Sequence, residues 1–408
     1  MQHPGMILIL GAVLIFAYGL VSRLAERSPI TAPLVFTIIG VVASPLITGL
    51  LNVRVDAHSI QLIASITLVL ILFTDASTMS LRSVISDRGV PLRLLLIGLP
   101  LTMLLGIAGG ALLFRDSGLW LVALVALTLS PTDAALGLAV VSSPAVPEKI
   151  RKAITVESGL NDGMALPPIL VCVAALSETA TEHAGSDYWL LFTLRQLILG
   201  PLAGIIVGWL GGVLVEKASA KGWMNATYQR LASGALAVIA YATAEAFHGN
   251  GFMAAFFSGL ALGTRTPVVR ERIHEFAEAE GQQLSLFVFL ILGLILVPIA
   301  VPYWDGLSWV YAILSLTVIR MLPVALSLVG THLDWRTVLF IGWFGPRGIA
   351  SVLYLLMIVG SIGVPGNERM LSVIVLTVLL SVLLHGISAV PLANLYGRSA
   401  SETLHRGQ

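Results

Sequence analysis

The stretch Glu157-Ser158-Gly159-Leu160-Asn161-Asp162-Gly163 places two carboxylates and two neutral oxygen-bearing side chains inside an apolar run. On a helix Glu157 stacks over Asn161 and Ser158 over Asp162, so the four form two adjacent rows on one face. A charge at the centre of a bilayer costs about 3 kcal/mol on insertion scales, so it needs a partner or a task. A hard monovalent cation wants oxygen ligands, and a buried carboxylate can instead take a proton. A carboxylate that holds one or the other is the smallest device for exchanging them.

The surroundings of this stretch set the fold class. The chain has 408 residues, 57% hydrophobic and 11% charged, with a mean hydropathy of +0.94. A soluble domain is roughly 45–50% apolar and 25% charged. Runs of about 20 apolar residues recur from end to end, so the expected class is an all-α polytopic membrane protein. The net charge of +1 gives no sign of nucleic acid as a partner. Cys172 is the single cysteine, which excludes an intramolecular disulfide. The first apolar run has no basic residue before it and reads as a retained span. No soluble domain is expected, because the tail after about Leu395 is too short to fold alone.

Thirteen spans are expected, near 6–22, 29–50, 58–79, 93–114, 119–142, 152–176, 188–215, 228–247, 250–264, 283–301, 307–330, 335–359 and 370–394. With the amino terminus outside, the inner loops collect Arg23, Arg27, Arg82, Arg88, Arg93, Lys149, Arg151, Lys152, Lys217, Lys221, Arg230, Arg265, Arg270, Arg272, Arg336, Arg398 and Arg406. The outer loops hold only Arg54, Arg115 and Arg369, while Arg195, Arg320 and Arg347 fall at a span edge or within spans. So lopsided a division supports the span count and a cytoplasmic carboxyl terminus in the cell membrane. An odd count also allows two inverted repeats, about 6–176 and 228–394, joined by a linking span at about 188–215.

Ser130-Pro131-Thr132-Asp133 and Gly345-Pro346-Arg347-Gly348 occupy the fifth span of each repeat. Proline removes a helical donor and disfavours helix before it, so both spans are expected to break in mid-membrane. Either proline alone reads equally well as a simple kink. Matching positions with a charge beside each favour a transport site. Pro131 suits the first position of a new half-helix, with Thr132 and Asp133 in its first turn at the positive end of the dipole. The carbonyls near Leu129 and Ser130 would then need a donor or a cation. Arg347 either answers such carbonyls across the crossing or pairs with a carboxylate.

Asp162 is the candidate exchanging carboxylate: burial disfavours its ionised form and a bound cation favours it, so proton and cation compete. Ser158 and Thr132 would add neutral ligands, Asp133 a second anionic neighbour, and Asn161 an amide donor to Asp133 or the half-helix ends. Taken singly, Ser158 and Thr132 read as packing hydroxyls. Arg320 needs a partner inside its span, and Glu157 is the candidate, which would remove one charge from the exchanging set. Asp75, Glu245 and His248 lie near span ends; His385 could sense pH, but a neutral, hydrogen-bonded histidine is the favoured reading. Residues 265–280 read as a surface helix. Small residues at Gly200, Gly204 and from Gly208 to Gly212 suggest close helix packing, with an oligomer contact as one use.

These motifs, in this order and spacing, resemble the monovalent cation/proton antiporter superfamily in its electroneutral sodium/proton exchanger branch (NhaP type). Ser130 to Asp133, Glu157 to Gly163, Arg320 and Phe344 to Gly348 carry the resemblance, which covers essentially the whole chain. It implies a thirteen-span homodimer with two crossed, broken helices. It also implies a core of spans 4–6 and 11–13 moving like an elevator past a dimer domain of spans 1–3 and 7–10. Cation ligands would be Asp162, Asp133, Ser158 and the Thr132 backbone, with Glu157 and Arg320 as a neighbouring pair. The Asn161-Asp162 pairing implies one-for-one exchange. Relatives often carry proline directly after the aspartate of the broken helix, where this chain has Ala134.

The expected function is therefore exchange of Na+, or else Li+ or K+, for H+, with no cofactor and no use of ATP. A K+/H+ exchanger or a sodium-coupled organic anion transporter is the alternative on the same fold. An intramembrane aspartyl hydrolase using Asp133 and Asp162 is a remote one.

Overall fold

The computed structural model describes residues 5–25, 30–49, 57–79, 89–133, 136–177, 186–265 and 280–406, and all regular structure among them is helical. The elements are α1 (Gly5–Ala25), α2 (Ala32–Ala43), α3 (Ala57–Thr78), α4 (Val90–Leu113), α5 (Leu119–Thr128), α6 (Glu148–Leu176) and α7 (Ser186–Ala220). They continue with α8 (Ala226–Ala246), α9 (Gly251–Arg265), α10 (Glu280–Tyr303), α11 (Gly306–Ser327), α12 (Trp335–Trp343), α13 (Ile349–Ile362) and α14 (Glu368–Arg406). Seven of the described helices are long and apolar enough to cross a membrane, and five shorter apolar ones of 10–17 residues accompany them. Alanine and hydroxyl side chains dominate α8, which belongs to neither group. The 39 residues of α14 reach about 58 Å at 1.5 Å per residue, well beyond a hydrocarbon core of about 30 Å. Ala134, Ala135, most of the expected surface helix, and Arg27, Arg54, Arg82, Arg88, Arg270 and Arg272 lie outside the described residues.

The chain forms two compact units. The first comprises Met1–Ile60, Gly89–Asn161 and Ser285–Gln408. Its largest described core joins Val90 and Leu94 of α4, Ile150 and Ile154 of α6, Phe340 of α12, and Ala389 and Tyr396 of α14. On α2 and α10, glycines let backbones touch: Gly40 faces the Leu290 carbonyl and Gly293 the Thr37 carbonyl. Two π turns were not expected from sequence, at Leu94–Gly98 in α4 and Leu292–Leu296 in α10. Each ends just before a proline, Pro100 or Pro298. A proline within a helix leaves the carbonyl four residues back without a donor and crowds it, and a wider turn relieves both faults. At one end of this unit Asp305 caps α11 by accepting from Ser308 N at 2.8 Å and pairs with Arg369 Nη2 at 2.5 Å. Burial opposes the charge on Asp305, but the Ser308 bonds and the Arg369 guanidinium outweigh it, holding the carboxyl below its ordinary value of 3.8.

The second unit comprises Gln61–Arg88 and Asp162–Leu284. Here helices meet through glycine, because lipid supplies no hydrophobic force between them and close dispersion contact must serve. Gly200, Gly204 and Gly208 of α7 lie against the carbonyls of Asn250, Ala254 and Ser258 of or beside α9. Gly259 and Gly263 of α9 in turn lie against the carbonyls of Phe73 and Ser77 of α3, and Gly211 against Leu236 of α8. The close helix packing expected of the small-residue stripe of α7 is thus made within the chain. Glu245 accepts from Gly251 N at 2.9 Å and so closes the start of α9.

Two predictions follow from these contacts. Gly208→Ala would push α7 off a backbone carbonyl and is expected to cost about 1–3 kcal/mol in a thermal unfolding series. Gly19→Ala, facing open space on α1, should leave the midpoint unchanged or raise it. Asp305→Asn keeps a capping oxygen, so its loss reports the Arg369 pair, a half-exposed one worth under about 1 kcal/mol. Because the folded carboxyl sits below its ordinary value of 3.8, the wild-type advantage should be full above that value and be lost as the pH falls below it.

Candidate cation-binding site

Both expected interruptions are present, and both belong to the first unit. The helix α5 stops at Thr128, and only a single turn, Leu138–Val141, resumes it. In the other span α12 stops at Trp343, Phe344–Gly348 is non-helical, and α13 starts at Ile349. Each stop releases backbone donors and acceptors that water would satisfy in a soluble protein but that need protein partners in a membrane.

The two breaks answer each other. Asp133 N donates to Pro346 O at 2.9 Å, and Ile349 N donates to Asp133 Oδ2 at 2.7 Å. Arg347 Nη1 donates to Pro131 O at 3.4 Å and Gly345 O at 3.1 Å, while Ser351 Oγ donates to Thr128 O at 2.7 Å. Gly348 has no side chain because Asp133 Oδ2 occupies the space its Cβ would take. Two expectations change. Thr132 and Asp133 are not in the first turn of a helix begun by Pro131: bonds from the other broken span hold Asp133 at the positive end of α13 instead. Arg347 takes the carbonyl role, but on Pro131 rather than on Leu129 or Ser130.

On α6, which meets these breaks, Ser158 Oγ lies 3.1 Å from Thr132 Oγ1, and Asn161 Nδ2 donates to Thr132 Oγ1 at 2.6 Å. The amide of Asn161 therefore goes to a threonine hydroxyl rather than to Asp133. Its Oδ1 is buried and has no hydrogen-bond partner among the described residues. Glu157 Oε1 and Arg320 Nη1 are 2.6 Å apart, and both side chains are at most 2% exposed. The Arg320 guanidinium lies against Gly345, where any Cβ would displace it. Thus Thr132, Asp133, Glu157, Ser158, Asn161, Arg320 and Arg347 come together in the first unit. Asp162 follows one turn after Ser158 on the same helix, is 6% exposed, and is the first residue of the second unit. Beside it, Gly163 makes room for the Phe256 ring.

The other candidates belong to the second unit. Asp75 is on α3, and Glu245 and His248 are at the end of α8. Sequence reasoning did not single out Ser351 or Ser381, and it read His385 as a pH sensor or, in preference, a neutral, hydrogen-bonded histidine. The signal for all three was a polar residue in an apolar run at the depth of a break. Chemically, the arrangement offers neutral oxygens from Thr132, Ser158 and Asn161 next to a carboxylate-bearing turn. The Glu157 charge is matched and Asp133 is held by a backbone donor.

Replacing Arg320 by Met would leave Glu157 buried without its cation, at an expected cost of about 3–5 kcal/mol. The double change Glu157→Gln/Arg320→Met should recover most of that in thermal unfolding followed by tryptophan fluorescence. Equal melting of the single and double variants would show that the pair contributes nothing.

Residues 11–395 match the family described as the transmembrane sodium/hydrogen exchanger. A protein from Alkalimonas amylolytica named K(+)/H(+) antiporter NhaP is 30% identical over 407 residues, 95% of this chain and 66% of the relative. K(+)/H(+) antiporter NhaP2 of Shewanella oneidensis is 27% identical over 397 residues, with the same coverages. A Na(+)/H(+) antiporter of Schizosaccharomyces pombe is 27% identical over 251 residues, 56% of this chain and 52% of the relative. The chain thus spans 66% of the length of the bacterial relatives. The solved structure of the sodium proton antiporter MjNhaP1 from Methanocaldococcus jannaschii at pH 8 superposes with a TM-score of 0.75 at 19% identity, covering 95% of this chain and 98% of that one. That likeness establishes the antiporter fold, and a transporter family displaces the aspartyl hydrolase alternative. The match along nearly the whole sequence makes this all-helical, multi-pass membrane protein a member of the sodium/hydrogen exchanger family.

Proposed function

We propose that the chain is a monovalent cation/proton antiporter in which Asp162 carries either the proton or the cation. The observation that carries this reading is the hydrogen-bonded group Thr132, Ser158 and Asn161, gathered at a helix break one turn from Asp162 on the same helix. Hydroxyl and amide oxygens beside a carboxylate suit an alkali cation, and a carboxylate that loses its cation in a buried place takes up a proton. The ligands we assign are Asp162, Ser158 and Thr132, with Asp133 as an anionic neighbour. Asn161 and the Glu157–Arg320 pair support them. Matching of Glu157 by Arg320 supports one-for-one, electroneutral exchange.

Sodium is the ion the motif resemblance suggests, but the names of the bacterial relatives support potassium better, and potassium is the ion we assign. We further assign an outside amino terminus from the basic loops, a homodimer, and elevator-like movement of spans 4–6 and 11–13 past spans 1–3 and 7–10.

The test is reconstitution in liposomes with an imposed pH gradient, adding K+, Na+ or Li+ in turn. Potassium-driven collapse of the gradient, independent of membrane voltage and abolished in Asp162→Asn, is the expected result. Collapse with sodium alone would overturn the choice of ion. Well-folded protein that answers to no cation would overturn the antiporter reading.

A further inference from the structure

We infer that His385 of α14 is a positioning residue for the proposed exchange, fixing both ends of the unwound segment Phe344–Gly348 as a neutral Nε2–H imidazole. The inference rests on the antiporter reading for its transport consequence and on geometry alone for its tautomer. His385 is 1% exposed. Its Nε2 lies 2.9 Å from Trp343 O, the last carbonyl of α12, which also accepts from Gly345 N at 2.8 Å. Its Nδ1 lies 3.1 Å from Ser381 Oγ and 3.0 Å from Ser381 O, one turn earlier on α14.

Hydrogen-bond direction selects the tautomer. Ser381 Oγ accepts from Arg347 N at 2.7 Å. Trp343 O can only accept, so Nε2 carries a ring proton; in the neutral ring Nδ1 is then the acceptor, taking the Ser381 Oγ proton, while Ser381 O, which also faces Nδ1, receives nothing from it. The result is a continuous chain: Arg347 N–H to Ser381 Oγ, Ser381 Oγ–H to His385 Nδ1, and His385 Nε2–H to Trp343 O. The grip is reinforced by the Trp343 ring, 4.9 Å from the imidazole, whose Nε1 donates to Ser388 Oγ at 3.0 Å on the same helix.

This chain does more than satisfy stray groups. Anchoring the Arg347 backbone sets where its guanidinium reaches, and that guanidinium donates to Pro131 O beside Thr132. His385 thereby acts on the cation ligands through two intermediates without touching them. Loosening it should weaken cation binding more than it slows the moving step.

The full chain in liposomes, assayed over a range of cation concentrations, gives the transport readout. His385→Ala and Ser381→Ala are expected to raise the half-saturating cation concentration about tenfold, the weight of one buried hydrogen bond, with the maximal rate little changed. His385→Gln, whose amide can still donate to Trp343 O, should recover much of the loss, and His385→Leu should not. Histidine-selective 15N labelling, with His385→Gln identifying the signal, should show an Nε2–H ring that loses this preference in Ser381→Ala. An Nδ1–H or charged ring in the wild type, unaltered half-saturation in His385→Ala, or Gln no better than Leu would each overturn the proposal. Wild-type protein without exchange would refute the antiporter reading instead, while the labelling experiment would still decide the tautomer.

Discussion

A polypeptide that interrupts its helices inside a membrane must supply, from its own atoms, every hydrogen bond that the interruption releases. The first unit meets this demand by placing two interruptions against each other. The donor at Asp133 N and the acceptor at Pro346 O belong to different spans and satisfy one another, as do Asp133 Oδ2 and Ile349 N. Arg347 sends one nitrogen to a carbonyl on each side of the crossing. Neither break could persist alone, because each would leave buried peptide groups bare at a cost of several kcal/mol. The oxygen-rich group around Thr132 exists only because this mutual support keeps the local backbone unwound.

How much of this was legible in the sequence depended on the kind of interaction. Composition and apolar runs revealed the membrane class, because burial in lipid requires them of every span. The two breaks were legible because proline coincided with charge at matching places. Proline by itself was a poor guide: Pro167, Pro168, Pro201, Pro323 and Pro391 all lie within continuous helices. The difference at Pro131 and Pro346 is that residues from another span complete the hydrogen bonds, and one sequence read locally does not show which distant serine or histidine will do so. For the same reason Asp133 was assigned to its own half-helix, when its partner is 216 residues away. Glu157 and Arg320 were easier to match, since two buried opposite charges in an apolar chain have few alternatives.

The second unit solves a different problem by a different means. Among its described residues it has no pair of broken spans to hold together, so its helices rely on shape. The contacts of α7 with α9, and of α9 with α3, bring glycine Cα atoms onto carbonyl oxygens. Such contacts are short-ranged, add weak Cα–H···O attraction, and tolerate no added methyl group. The close packing that the α7 stripe suggested is therefore made within the chain. A small-residue pattern shows that something approaches closely without saying what.

The π turns of α4 and α10 have an implication for the ancestry of the fold. A π turn holds one more residue than the α-helical path it replaces, and residues beyond it are rotated by about 100° relative to an uninterrupted helix. The faces that α4 and α10 present after Gly98 and Leu296 are thus set by residue count as much as by residue type. Alignments of related chains that admit only substitutions in these spans would pair residues from different faces wherever a relative lacks the extra residue.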